Sequence, residues 1–223
     1  MADITVADVE RAVRTTAATV LRNEQYFSHL DGMAGDGDFG NSLATGFRVI
    51  DAELPNLDKS AIGALLLKIS MLVSKHVGGS SGPIWGTGFM KAAAVSKGKE
   101  TVTLNEVADM LGAAIDGIMA RGGAKLGDKT LLDALIPVHE VLKIQGGVGD
   151  KVAALREAAD VAEQAIETTR SSVAHRGRAS QVGERSSGTP DPGIVAIATI
   201  LQHWCDEWGV ERIATVTEVV QAA

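Results

Sequence analysis

The residues of this chain that could do chemistry gather in four short stretches. The sharpest is Leu30-Asp31-Gly32-Met33-Ala34-Gly35-Asp36-Gly37-Asp38-Phe39-Gly40-Asn41. Asp36 and Asp38 stand two positions apart, so a regular helix would point them to nearly opposite faces. Convergence requires a turn, and Gly35, Gly37 and Gly40 supply a permissive backbone for one. Carboxylates brought together repel unless a cation neutralises them. An all-oxygen donor set suits Mg2+ or Ca2+ rather than Zn2+. The stretch is not an EF-hand, because the later ligands and the closing Glu are missing. A turn whose aspartates bond to local backbone, with Asp38 or Asn41 capping the next helix, accounts for the same residues.

The second stretch, Val77-Gly78-Gly79-Ser80-Ser81-Gly82-Pro83, ends one helix and starts another. Backbone N–H groups and hydroxyls at a helix start form an anion-binding geometry, although an ordinary C-cap followed by an ordinary N-cap has the same composition. It is no Walker A loop, since no Gly-Lys-Ser/Thr follows. The third, Arg121–Leu131, is a loop entering a helix, with Asp128 as a plausible N-cap and lysines that solvation alone would explain. The fourth, Ala174–Gly193, is twenty residues with little helical pattern. It carries Arg176, Arg178 and Arg185 against Glu184 and Asp191, a local surplus of one positive charge. Arginine supplies planar, charge-assisted donors to phosphate; a disordered surface loop is the alternative. His29, His76, His139, His175 and His203 show no metal-ligand spacing, and Cys205 beside Trp204 reads as a core residue. The chain thus offers carboxylates for metal, donors for phosphate, and no obvious nucleophile.

The elements that must position these stretches are helical throughout. Val6, Val9, Val13, Ala17, Val20 and Leu21 form one apolar stripe, opened by an approximate capping box of Thr5 and Asp8. Leu43–Leu54 forms a second, stopped by Pro55. Ile62–Val73 forms a third that ends at Gly78-Gly79, and a fourth helix begins with Pro83 at its first position. Thr103-Leu104-Asn105-Glu106 is a full capping box opening a helix to about Ala120. Further helices are expected over Leu131–Leu142 (kinked at Pro137), Asp150–Ser172, Ile194–Trp204 and about Glu211–Gln221. No run alternates convincingly, so no strands are expected. Eight or nine such helices read as one all-α bundle or barrel spanning residues 1–223. The glycine clusters fall at helix ends, one hairpin or so apart, which would bring four polar turns to one rim.

Composition narrows the classes of function. Of 223 residues, 45% are hydrophobic and 25 are glycine, about 11% against roughly 7% in average usage. The apolar content argues against disorder, and one cysteine precludes a disulfide scaffold. A formal charge of −7 is wrong for a nucleic-acid binder or for an anionic membrane surface. No span suits a transmembrane helix, and Met1-Ala2-Asp3-Ile4 has no signal-peptide pattern. A soluble cytoplasmic protein is the expectation. If it handles phosphate, metal ions or a local donor cluster must supply the positive charge.

Taken together and in order, LDGMAGDGDFG, VGGSSGPIWGTGF, RGGAKLGDKTLLDAL and HRGRASQVGERSSGTPDPG resemble the nucleotide-binding L subunit of dihydroxyacetone kinase, the DAK2 domain. The resemblance covers essentially the whole chain. It implies an eight-helix antiparallel up-and-down barrel with the nucleotide, ADP or ATP, over one rim. Asp31, Asp36 and Asp38 match the ligands of two Mg2+ ions and, with Arg178, the catalytic set. Phe39, Gly40, Asn41, Ser42, Ser80, Ser81, Gly122, Leu131, Arg178, Asp191, Pro192 and Gly193 match positions along the nucleotide. The resemblance further implies a separate K subunit that holds the ketose on a histidine, and a phosphohistidine M subunit of the phosphotransferase system that recharges the nucleotide. One departure stands out: Phe39 occupies a position where the family commonly has His, and Phe39 cannot donate a hydrogen bond. Such a change could mark a branch using another small ketose, such as erythrulose, or ATP as donor. A helical lipid-binding or regulatory module is the competing expectation.

Overall fold

In the computed structural model, which describes residues 3–211, nine α-helices account for most of the chain. They are α1 (Val6–Arg22), α2 (Glu24–Ala34), α3 (Phe39–Glu53), α4 (Ile62–His76), α5 (Ser81–Val95), α6 (Leu104–Gly122), α7 (Leu132–Val148), α8 (Lys151–Arg170) and α9 (Pro192–Trp208). Short 3-10 turns follow α3 at Leu54–Asn56 and precede α9 at Arg178–Ser186. Both capping boxes form: Thr5 and Thr103 each accept from the backbone N–H of the residue three ahead, while Asp8 and Glu106 reach back. Asp150 caps α8 by accepting from Val152 and Ala153.

The packing order explains the architecture. α1 packs on α3, then neighbours run α3–α4–α5–α6–α7–α8–α9, and α9 returns to α1. Eight helices therefore follow one another in a closed ring, and α2 lies against α3, α9 and the 178–186 turn instead. The break between α1 and α2 at Asn23 is what adds a ninth helix to the ring of eight among the described residues. The ring encloses one main apolar cluster, with Phe27, Leu43, Phe47, Ile50, Leu65, Ile69 and Ile194 all fully buried. Small residues let the walls approach: a Cβ on Gly86 of α5 would sit 2.0 Å from Ser74 Oγ of α4. At the same crossing Ser70 Oγ donates to the Gly86 carbonyl at 2.8 Å. No helix among the described residues is long and apolar enough to cross a membrane.

Several expectations need correction. Two-residue strands β1 (Ile4–Thr5) and β2 (Thr101–Val102) pair antiparallel, Ile4 opposite Val102. The two N-cap threonines, Thr5 and Thr103, hold extended backbone, so the chain is already strand-like where it enters α1 and α6. α5 begins at Ser81 with Ser80 as its N-cap, two residues before Pro83. α7 runs through Pro137 to Val148, well past Leu142. The helix expected over about Glu211–Gln221 lies, beyond Glu211, outside the described residues.

Candidate functional site

Asp31 sits in the last turn of α2, Asp36 just past its C-cap Gly35, and Asp38 at the N-cap of α3. The α2–α3 turn thus folds three carboxylates onto one spot, where an oxygen of each lies within 4.8 Å of the others. Two ligands on one Mg2+ stand at most about 4.2 Å apart, twice the metal–oxygen distance, so small side-chain rotations close the set. Asp38 makes no side-chain cap to α3; instead Asp31 Oδ2 accepts from Phe39 N at 3.3 Å, leaving the Asp38 carboxylate uncommitted to the helix end. Burial pushes the Asp31 carboxyl above its ordinary range, and Asp36 and Asp38 add to this, against the N–H groups of Phe39 and Gly37. A divalent cation would relieve that repulsion.

Gly40 makes the convergence possible. It is buried in the first turn of α3, where an added Cβ would lie 2.0 Å from the Glu24 carbonyl and 2.6 Å from Ser28 N of α2. Gly40 thus serves close helix approach rather than the turn itself. Asn41 N donates to Ser28 Oγ at 3.2 Å across the same seam. The Phe39 side chain turns inward, edge-on to Phe27 at 6.4 Å between ring centroids, so its ring is a packing group.

The four polar stretches meet pairwise. Arg178 Nη1 lies 3.1 Å from Asp36 Oδ2, joining the fourth to the first. The place of a Gly78 Cβ is 2.9 Å from Ser42 Oγ, joining the second to the first, and that of Gly122 is 2.9 Å from Ile84 of α5. The Gly193 backbone packs on Leu131, and His175 N donates to the Asp128 carbonyl at 3.0 Å, joining the fourth to the third. Between the first, third and fourth runs a small cleft lined by Leu30, Asp31, Gly35, Lys129, Ala179, Ser186, Pro190, Asp191 and Pro192, among others. Ser80, Ser81 and Gly122 do not line it, and no residue of the second stretch does. Ser80 is exposed and makes no side-chain cap to α5.

The third and fourth stretches are more ordered than their sequence suggests. Asp128 is not the N-cap of α7: Leu131 is, and the turn is held by Asp133, which accepts from Gly127 N at 2.6 Å and Thr130 N at 2.8 Å. Asp128 accepts from Lys125 N and lies 3.6 Å from Arg176 Nε. Lys129 is not solvated but 2% exposed, its Nζ donating to the carbonyls of Arg170, Ser172 and Ser186. Burial lowers the Lys129 ammonium below its ordinary range. Asp191 caps α9 by accepting from Ile194 N at 2.9 Å. Its residue keeps a partly accessible edge, yet desolvation raises the carboxyl to about 7, with Asp133 adding and the helix N–H groups and Lys129 opposing. Lys129 and Asp133 are two further residues that order this part of the molecule, and neither carries a local sequence signal for it, since their partners are shown only by the folded turn.

The model of the DAK2 domain matches residues 33–206, most of the chain. The chain belongs to the DAK2 domain family. It is 37% identical over 179 residues to the "PEP-dependent dihydroxyacetone kinase, ADP-binding subunit DhaL" of Escherichia coli K12, covering 80% of this chain and 85% of that one. It is 36% identical to the "L-erythrulose 1-kinase" of Mycolicibacterium smegmatis, covering 81% of this chain but 32% of that one. Among solved structures, the dihydroxyacetone kinase of C. freundii in complex with AMP-PNP and Mg2+ superposes with a TM-score of 0.72 at 26% identity. That match covers 90% of this chain and 34% of the other, so the chain spans about a third of the length of that kinase. Family membership makes this DAK2 chain a phosphotransferase subunit of the dihydroxyacetone kinase type.

Proposed function

We propose that this chain is the ADP- or ATP-binding subunit of a kinase that passes a phosphoryl group to dihydroxyacetone held by a separate K subunit. One observation carries the reading: three aspartate oxygens within 4.8 Å of one another, with Arg178 3.1 Å from Asp36, where the first and fourth polar stretches meet. Asp31, Asp36 and Asp38 would hold Mg2+, two ions in this reading. Bound there, the metal would neutralise phosphate charge and orient the transferring group. Arg178 offers a planar pair of donors to phosphate oxygens beside the carboxylates. Ser80 and Ser81, at the start of α5, offer hydroxyls and free backbone N–H groups. Asn41, Ser42, Gly122, Leu131, Asp191, Pro192 and Gly193 would border the nucleotide, while Phe39 packs on Phe27 and Gly40 lets α2 and α3 approach beneath the carboxylates. In this reading the chain is one domain, with its ring of helices closed as an up-and-down barrel.

The E. coli relative, of which this chain spans 85%, is itself a subunit of a PEP-dependent kinase. That supports a separate K subunit, recharging of bound ADP by a phosphohistidine M subunit, and a cytoplasmic setting. The relatives named for L-erythrulose, at 36% and 34% identity, favour a second reading in which the acceptor is another small ketose. Calorimetry with ADP and ATP, in Mg2+ and in EDTA, tests the site. Reconstitution with a K subunit, using ATP or a phosphorylated M subunit as donor and dihydroxyacetone or erythrulose as acceptor, tests the rest. Mg2+-dependent nucleotide binding and transfer are expected; absence of Mg2+-dependent binding overturns the reading.

A further inference from the structure

We propose that Lys129 is a positioning residue: its buried ammonium ties the two ends of the 174–185 segment together and thereby holds Arg178 in front of Asp36. A lysine this buried is rare unless its charge is met. Here the ammonium reaches three carbonyls, Arg170 at 3.0 Å, Ser172 at 2.9 Å and Ser186 at 2.7 Å. Arg170 ends α8, Ser172 lies just beyond it, and Ser186 ends the 3-10 turn that Arg178 begins. The carbonyls therefore flank the segment on both sides.

Neutral bonds close the same neck: Gly188 N donates to the Arg170 carbonyl at 2.8 Å, Ala174 N to Ser186 Oγ at 2.9 Å, and Ser187 Oγ to the Ser171 carbonyl at 2.9 Å. Lys129 adds the charge-assisted contacts, and it comes from a different stretch, so it fixes the neck to the α6–α7 turn. Its backbone supports the assignment. Lys129 has φ +60°, the one non-glycine in the left-handed region among the described residues. Glycine would adopt this conformation without strain, so what lysine contributes there is the ammonium. The Arg178 side chain is 60% exposed, so its position follows from that of its backbone, which rests on α2 on one side and is held by the neck on the other.

The consequence for function rests on the reading of Arg178 as a phosphate donor. The test compares Lys129→Met, Arg178→Ala and the double variant, by tryptic nicking at Arg176 and Arg185, sites that all of them keep, and by Mg-ADP affinity. Losing the ammonium's charge-assisted bonds is expected to speed nicking of Lys129→Met about tenfold or more, with helical CD retained. Mg-ADP affinity is expected to fall about as far as in Arg178→Ala, and the double variant to be no worse than the weaker single. Lys129→Gln keeps a donor and the fold, and should show the same pattern at smaller amplitude. Nicking as slow as in the parent protein, or losses that multiply in the double variant, overturns the inference. Unchanged affinity in Arg178→Ala alone overturns instead the underlying reading of Arg178.

Discussion

Replacing Asp36 by alanine separates metal binding from folding, because the two effects have different sizes. In the fold, Asp36 makes one ion pair, with Arg178, between side chains 37% and 60% exposed. Exposed pairs contribute about 0–1 kcal/mol, and the alanine also removes a like charge from beside Asp31. The melting temperature should shift by no more than about 2–4 °C, since about 1 kcal/mol moves a domain of this size that far. Metal binding is another matter. A divalent ion about 4 Å from the deleted charge loses about 2 kcal/mol of attraction even at the dielectric constant of water. That is about a 30-fold loss in the Mg2+-dependent part of nucleotide affinity, and more if the site is drier. Calorimetric titration of ADP at several Mg2+ concentrations, beside a thermal melt, reads both quantities. Undiminished Mg2+-dependent affinity would refute the metal assignment. A melting temperature lowered by ten degrees would instead make Asp36 a structural residue.

Other perturbations reach the site from farther away. Gly40→Ala should destabilise the protein by about 1–3 kcal/mol through overpacking and also weaken Mg2+ binding, because α2 and α3 must separate; melts and Mg2+ titration check both, and normal metal binding would contradict the role given to that contact. Asp191 has a carboxyl raised to about 7 from an ordinary 3.8, so the folded state holds its proton more tightly and stability declines as pH rises through that window. Asp191→Asn keeps a capping oxygen, and its melting temperatures at pH 5 and pH 8 should lie closer together than those of the parent; an equal gap would argue against desolvation of Asp191. Thr103→Ala removes one half of a formed capping box and should cost about 1 kcal/mol in urea unfolding.

What could be read without the structure was local chemistry. Thr5 with Asp8 and Thr103 with Glu106 announce helix starts because both partners of the capping box lie within one turn. The carboxylate turn was legible because Asp36 and Asp38 cannot converge on a helix, and the glycines around them permit a turn. Long-range pairing left no comparable trace. Lysine is ordinarily a surface residue, and nothing near Lys129 tells that its partners lie at Arg170, Ser172 and Ser186. The 3-10 turn at 178–186 is likewise held by the neck, not by local propensity. Asp133 looks like an unremarkable first-turn acid until the folded turn shows it accepting from Gly127 and Thr130. The short β1–β2 pairing has no alternating pattern behind it, because two helix entrances happen to lie side by side.

The place where α1 meets α9 bears on how this unit is joined to others. Arg11, in the second turn of α1, donates to the Glu207 carbonyl at 2.6 Å and lies 4.8 Å over the ring of Trp208, the last residue of α9. The way into the ring and the way out of it are therefore adjacent, far along the chain though they are. A unit of this kind can be attached to a neighbour at a single point on its perimeter, leaving every helix-to-helix seam intact. This makes it portable: the same wall and rim can work as a separate polypeptide or as one third of a longer one, the two settings in which its relatives occur.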